Sequence, residues 1–311
     1  MKIGWKRWAV LGAVAALGCL AAGRHFATGR PQVIVPLTIE RDHVYVQSSL
    51  GPVLLDTGAE IAVVDAEYAQ KLGLPRTGQT VYLRDFYGEK QVCEVARVPA
   101  FSMTGHEGKL WQVPEQEAMV LPGMKQRLRA DFILGLTFFK GRIVELDFLA
   151  KEMRLLRNLP FGWNCRRLPL RPGDGLSSLE VTVADAGAFQ AVLDTGMNGF
   201  FHLSAADWER LSRQAEEEVA VDEESGSALG PAPARKKARA AAVLTVGNMS
   251  LENAPVLTNA GAVQSTVGLS VLKNTCMALD WDAQKAVFTA PSFIFNHITL
   301  KVGEQGPWPE R

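Results

Sequence analysis

Val53-Leu54-Leu55-Asp56-Thr57-Gly58 and Ala191-Val192-Leu193-Asp194-Thr195-Gly196 present one pattern twice, an apolar run ending in Asp-Thr-Gly, 138 residues apart. Each copy is followed at a similar distance by an apolar pair and a glycine, Ile133-Leu134-Gly135 and Thr266-Val267-Gly268. One Asp-Thr-Gly occurs by chance in roughly one chain in twenty of this size. Two copies in register with distal glycines mark an internal duplication. Two carboxylates at equivalent strand ends, one per half, are what acid–base hydrolysis by a carboxylate pair requires.

The repeat continues past the distal glycine. Gly135-Leu136-Thr137-Phe138-Phe139-Lys140 aligns with Gly268-Leu269-Ser270-Val271-Leu272-Lys273, and Leu146-Asp147-Phe148 with Leu279-Asp280-Trp281. Strand-like segments follow at Met153 to Leu156 and Ala286 to Thr289. Each half also holds one short helical segment. Asp65 to Leu72 opens on an N-cap residue and stops at Gly73; Ser204 to Leu211 opens on a serine with Asp207 three positions on.

The 311-residue length suits about two domains. Most of the remainder reads as short alternating strands, such as Val33 to Val35, His43 to Val46, Leu179 to Val183 and Val243 to Val246. Turn signals such as Leu50-Gly51-Pro52 separate them. Lysine plus arginine (33) balance aspartate plus glutamate (33), so bulk charge points to no nucleic-acid partner. No His-Glu-x-x-His or Gly-x-Ser-x-Gly pattern occurs, and no cysteine has metal-ligand spacing. Cys93, Cys165 and Cys276 read as free thiols with at most one disulfide. Asp147 and Asp280 read as structural, and Trp111, Trp163, Trp208 and Trp281 as packing residues.

On Asp56-Thr57-Gly58-Ala59 with Ile133-Leu134-Gly135, and Asp194-Thr195-Gly196 with Val267-Gly268, the chain resembles the aspartic protease clan. It is most similar to the retropepsin-type aspartyl proteases of bacteria, with two copies fused. The segment Leu244 to Leu257 looks like the strand–turn–strand before that family's distal glycine. The resemblance covers roughly residues 31 to 290. It implies an all-β, bilobal acid-protease fold: two retropepsin-like β-barrel lobes with short helices, related by a pseudo-twofold. The lobes are expected at 31–160 and 161–292, with a tail at 293–311. Both aspartates then meet at the lobe interface of a monomer. Two features depart from the family pattern. Met197 follows the second tripeptide where a small residue is usual, and Thr266 replaces an aliphatic residue.

The resemblance implies that Asp56 and Asp194 share one proton and activate a water between them, with no metal or cofactor. Such separated carboxyl pKa values are the stock example for aspartic proteases. Thr57 and Thr195 would lock the loops across the interface, Gly58 and Gly196 permit the tight turns, and Gly135 and Gly268 allow close strand passage. The segment Val81 to Val92 stands where the family places a flap, with Tyr82, Tyr87 and Gly88 as substrate-covering residues. The equivalent stretch of the second half, Glu216 to Ala242, runs from acidic to basic and reads as a mobile loop.

Lys2, Lys6 and Arg7 precede an apolar run from Trp8 to Gly23. This run is shorter than the roughly 20 residues of a membrane span and suits a signal-peptide core. Residues 1–23 are therefore expected to be a signal peptide or membrane anchor. Ala16-Leu17-Gly18-Cys19 resembles a bacterial lipobox with Cys19 as the lipidated residue; an uncleaved anchor is the alternative. Either places the remainder in the cell envelope, on the periplasmic or extracellular side, attached to the membrane. The expected activity is an aspartic endopeptidase acting on a peptide or protein. The alternative is a non-catalytic peptide-binding or assembly protein on the same scaffold.

Overall fold

The computed structural model describes residues 31–40, 43–86, 88–162, 165–173, 176–183, 187–212, 215–221, 235–240, 243–247, 249–252, 254–259, 262–289 and 297–299. Cys19 and the rest of 1–23 lie outside these residues, as do Tyr87, Trp163 and most of 293–311. Among the described residues no helix is long and apolar enough to cross a membrane.

The chain is mostly β; its described residues form two curled sheets of 15 and 11 strands with a few short helices. Alternation drives this. In Leu176–Val183, Leu179, Val181 and Val183 are buried while Glu180 and Thr182 are exposed, the period-2 pattern of a half-buried strand. Both expected helices form. Asp65 caps Ala66–Lys71 by accepting from the Glu67 and Tyr68 amides. Ser204 Oγ accepts from the Asp207 amide at the start of Ala205–Ser212.

The duplication shows most clearly around the two tripeptides. Gly51–Leu55 runs parallel to Phe132–Leu134, which lies antiparallel to Ala62–Asp65. In the second half, Gly187–Leu193 runs parallel to Ser265–Val267, which lies antiparallel to Phe201–Leu203. Each aspartate thus leaves a strand buried between two others.

Strands from both halves join the larger sheet. Ile143–Asp147 pairs antiparallel with its repeat counterpart Cys276–Asp280, Ile143 opposite Asp280 and Asp147 opposite Cys276. Pairing of equivalent strands in this symmetric register is what a twofold relation between lobes produces. Phe139 packs on Trp281 beside this seam, with ring centroids 4.9 Å apart. Asp147 and Asp280 end their strands and accept from the amides of Ala150 and Ala283, a matching structural role. Trp111, Trp208 and Trp281 are buried. Among the described residues no disulfide joins Cys93, Cys165 and Cys276.

Among the described residues, Glu145, Asp147 and Cys276 form one group close enough to hold a metal. Arg154 already engages it, with Nη1 2.5 Å from Glu145 Oε1 and 2.9 Å from Asp147 Oδ2. That guanidinium balances two buried carboxylates.

The acidic-to-basic segment differs from expectation. Instead of a mobile loop, Ala215–Val221 and Arg235–Ala240 pair as antiparallel strands, and the second also pairs with Pro255–Asn259. The register sets Glu217 opposite Arg239.

Candidate active site

The two Asp-Thr-Gly loops meet where the lobes face one another, and each loop completes the other. Thr57 Oγ1 donates to the Leu193 carbonyl at 2.6 Å and accepts from the Thr195 amide at 3.1 Å. Reciprocally, Thr195 Oγ1 donates to the Leu55 carbonyl at 2.8 Å and accepts from the Thr57 amide at 3.1 Å. Both threonines are buried, 2 % and 0 % exposed, so water cannot replace these bonds.

Within each loop the carboxylate is held by its own turn. Gly58 N–H donates to Asp56 Oδ1 at 2.8 Å, and Gly196 N–H to Asp194 Oδ1 at 2.9 Å. The glycines are needed because each faces the opposite carboxylate. A Cβ on Gly58 would stand 2.5 and 2.6 Å from the Asp194 oxygens, and one on Gly196 2.5 and 2.7 Å from those of Asp56. The distal glycines serve the same close packing one layer out. A Cβ on Gly135 would strike the carbonyls of Ile61 and Ala59, and one on Gly268 those of Gly199 and Met197. The strands behind them anchor the aspartates: Asp56 N–H donates to the Leu134 carbonyl and Asp194 N–H to that of Val267.

The carboxyls of Asp56 and Asp194 face one another across the interface, each against the glycine of the opposite loop. Both sit deep in the interface but keep part of their surface accessible. Burial pushes both carboxyls up, Asp194 well above the usual range, where the neighbouring charge of Asp56 adds to the effect. Asp56 rises less because the Gly58 amide, the hydrogen bond from Asp194 and the positive charge of His43 oppose burial. Two carboxyls raised in this way and set against each other disfavour double ionisation, which is the condition for one proton held by the pair.

His43 was missed in the sequence. Its signal was present: the hairpin around Ser49-Leu50 pairs Ser48 with Gly51 and Tyr45 with Leu54. The same register continued puts His43 across from Asp56. In the other lobe, Ser178 opposite Val192 puts Leu176 in that position, so the two aspartates differ electrostatically.

The two departures from symmetry, Met197 and Thr266, touch each other. Thr266 Oγ1 donates to Met197 Sδ at 2.8 Å. The bulky thioether thus satisfies a hydroxyl that is 0 % exposed. It packs over Gly268, where any Cβ would strike Met197 Cε.

The segment Val81 to Val92 belongs to a hairpin of Arg76–Arg84 and Lys90–Val98. Its tip is a tight loop: Asp85 N–H bonds the Glu89 carbonyl, Gly88 N–H the Asp85 carbonyl, and Glu89 N–H the Asp85 carboxylate. Gly88 has φ +85°, which suits a residue without a side chain. Tyr82 is 76 % exposed, because the strand turns Val81 and Leu83 toward the lobe instead. Phe86, at the tip, reaches the other lobe and stacks on His202.

Residues 43–138 match the aspartyl protease family model. The chain therefore carries an aspartyl protease-like domain, and the match spans the first tripeptide and its distal glycine. Among solved structures, conglutin gamma, a basic 7S globulin from lupine seeds, is similar at 10% identity and a TM-score of 0.50, over 85% of this chain and 96% of that one. Basic 7S globulin from soybean is similar at 11% identity and a TM-score of 0.49, over 83% and 94%. At such identity the likeness to conglutin gamma reports the fold alone, an acid-protease-like pair of lobes. No curated protein matches the sequence.

Proposed function

We propose that this chain is an aspartic endopeptidase in which Asp56 and Asp194 activate a water between them. The observation that carries the reading is the pair of carboxyls facing one another, held by reciprocal threonines and by glycines that leave no room for a Cβ. Ionised Asp56 takes a proton from water as its oxygen attacks the scissile carbonyl carbon. Asp194 gives its proton to the carbonyl oxygen. Collapse of the tetrahedral adduct breaks the C–N bond, and the proton on Asp56 passes to the leaving amine. Asp194 regains its proton from the gem-diol hydroxyl as the carboxylic acid product forms. No covalent intermediate is required.

Asp56→Asn and Asp194→Asn keep the side-chain shape but remove the shared proton. Each is expected to lower peptide hydrolysis at acid pH by on the order of 10²–10⁴-fold, while a statine-type peptide inhibits the wild type. Substantial hydrolysis by either purified variant, or loss of wild-type activity on chelation, sinks the reading. A non-catalytic peptide-binding scaffold is then what remains.

The proposed setting is the cell envelope, with the protein as a monomer attached through Cys19 or through an uncleaved N-terminal anchor. Its support is the basic start, the apolar run from Trp8 to Gly23 and Ala16-Leu17-Gly18-Cys19. Mass spectrometry of the mature N-terminus distinguishes the forms: a lipid-modified Cys19, an intact Met1, or a start beyond Cys19 that removes the attachment.

A further inference from the structure

We propose that the outward face of the sheet joining the two lobes is a docking surface for an anionic phospholipid bilayer, with Phe161 entering the interface and Arg157, Arg166 and Arg167 meeting the headgroups. The inference deepens the envelope setting proposed above and rests on it, because the N-terminal attachment is the tether that brings this face to the membrane.

Strand register defines the face. Leu168, Ala286, Leu279 and Val144 stand in one row across the joining strands and pack into the main core. Their neighbours Arg167, Val287, Ala278 and Glu145 form the alternate row, which the pleat turns the other way. Glu152–Leu156 and Cys165–Pro169 lie four strand spacings apart in this sheet, about 19 Å. The chain between them crosses the outward face. Leu159 packs down on Leu156, Ala278 and Val287, and Pro160 is buried. Phe161 is then turned out, 57 % exposed.

Charge selects the partner. Arg157 precedes that ring and Arg166 and Arg167 follow it, all three exposed. The carboxylates of the same face are engaged: Arg154 holds Glu145, Asp147 and Glu152, and Asp280 stands opposite Lys285. An exposed aromatic ring flanked by guanidiniums suits the boundary of an anionic bilayer, where rings lie at headgroup depth and each cation strengthens binding about fivefold.

The tether leads to this face. Gln32 N–H donates to the Leu155 carbonyl at 2.9 Å, and Val33 stands opposite Leu155, two residues before Arg157. The apolar run ends at Gly23, so residues 24–31 bridge to the sheet and reach at most about 26–29 Å. From a lipidated Cys19 the bridge is residues 20–31, at most about 40–43 Å. A folded unit of this length has a radius of gyration of about 20 Å and is about 50 Å across. Either tether is shorter than the unit is wide, so the side where it enters is the side held nearest the bilayer.

Amide hydrogen exchange of the full chain in lipid nanodiscs tests this. Discs of phosphatidylcholine alone are compared with discs that also contain phosphatidylglycerol. Amides of residues 157–168 are expected to exchange about fivefold or more slowly with phosphatidylglycerol, and salt at about 1 M removes the difference by screening. Arg166→Gln with Arg167→Gln loses the protection, whereas Arg166→Lys with Arg167→Lys keeps it, and Phe161→Ser weakens it. Amides of Phe132–Leu134, in the core, report that each variant is folded. Equal exchange in the two kinds of disc, or protection that survives in the glutamine variant, overturns the proposal. Protection that appears in detergent and grows with protein concentration overturns it in favour of a second copy of the chain. If the chain does not stay with the discs, the attachment reading fails. Flotation of the same chain with phosphatidylglycerol vesicles then decides the face: binding that the glutamine variant loses supports it, and no binding overturns it.

Discussion

Thr195→Val isolates the tie between the lobes. Valine nearly matches threonine in volume, so the substitution leaves no cavity and removes only Oγ1. Two bonds disappear: donation to the Leu55 carbonyl at 2.8 Å and acceptance from the Thr57 amide at 3.1 Å. Thr195 is 0 % exposed and Thr57 2 %, so water does not reach the groups left behind. An orphaned buried polar group costs about 1–3 kcal/mol. With two of them, the expected destabilisation is about 2–6 kcal/mol, against a typical total of about 5–15 kcal/mol. Urea denaturation measures it as a fall in midpoint at constant m-value. Thr195→Ser keeps the oxygen and loses one methyl, so it should cost only about 1 kcal/mol. The reasoning is refuted if Thr195→Val lowers stability by less than about 0.5 kcal/mol, or by no more than Thr195→Ser.

Three further outcomes follow from the site. Gly58→Ala puts a methyl 2.5 Å from an Asp194 oxygen, so the carboxylate must move, and kcat should fall about a hundredfold or more; steady-state kinetics on the folded variant check this. Burial raises both carboxyls above their unfolded values, Asp194 most. A raised carboxyl contributes stability that is full below the ordinary aspartate range and is lost as pH rises through the folded value. Asp194→Asn should therefore raise Tm near neutral pH relative to wild type while abolishing hydrolysis; parallel Tm–pH curves for the two would count against it. His43→Gln removes a positive charge that lowers Asp56, so the acid limb of the kcat/KM–pH profile should move to higher pH, and an unmoved limb assigns His43 no electrostatic part.

Much of the fold was legible because its signals are local or repeated. Asp-Thr-Gly occurs twice, each copy with an apolar run before it and a distal glycine after it. The strands alternate, and Asp65 and Ser204 cap the helices that follow them. The charged stretch from Glu216 misled because a linear reading sees a charge block, whereas Ala215–Val221 and Arg235–Ala240 fold back and pair as strands. Tyr82 drew attention as an aromatic near a hairpin tip. The pleat directs Val81 and Leu83 inward and leaves Tyr82 exposed.

What the sequence determined by itself is the duplication: two aspartate strands, two distal glycines, and hence two lobes that each bring one carboxyl. Such a pattern survives in one dimension because every copy must satisfy the same backbone geometry. What only the tertiary structure decided is how the copies differ once they meet. His43 acts electrostatically on Asp56, and the register that brings it there sets Leu176 at the equivalent place in the other lobe. Met197 and Thr266, separate anomalies along the chain, become one contact at 2.8 Å. Phe86 reaches His202 across the lobes. These pairings join residues that no local pattern relates, through strand register and lobe docking, and burial at the interface is what gives each of them its energetic weight.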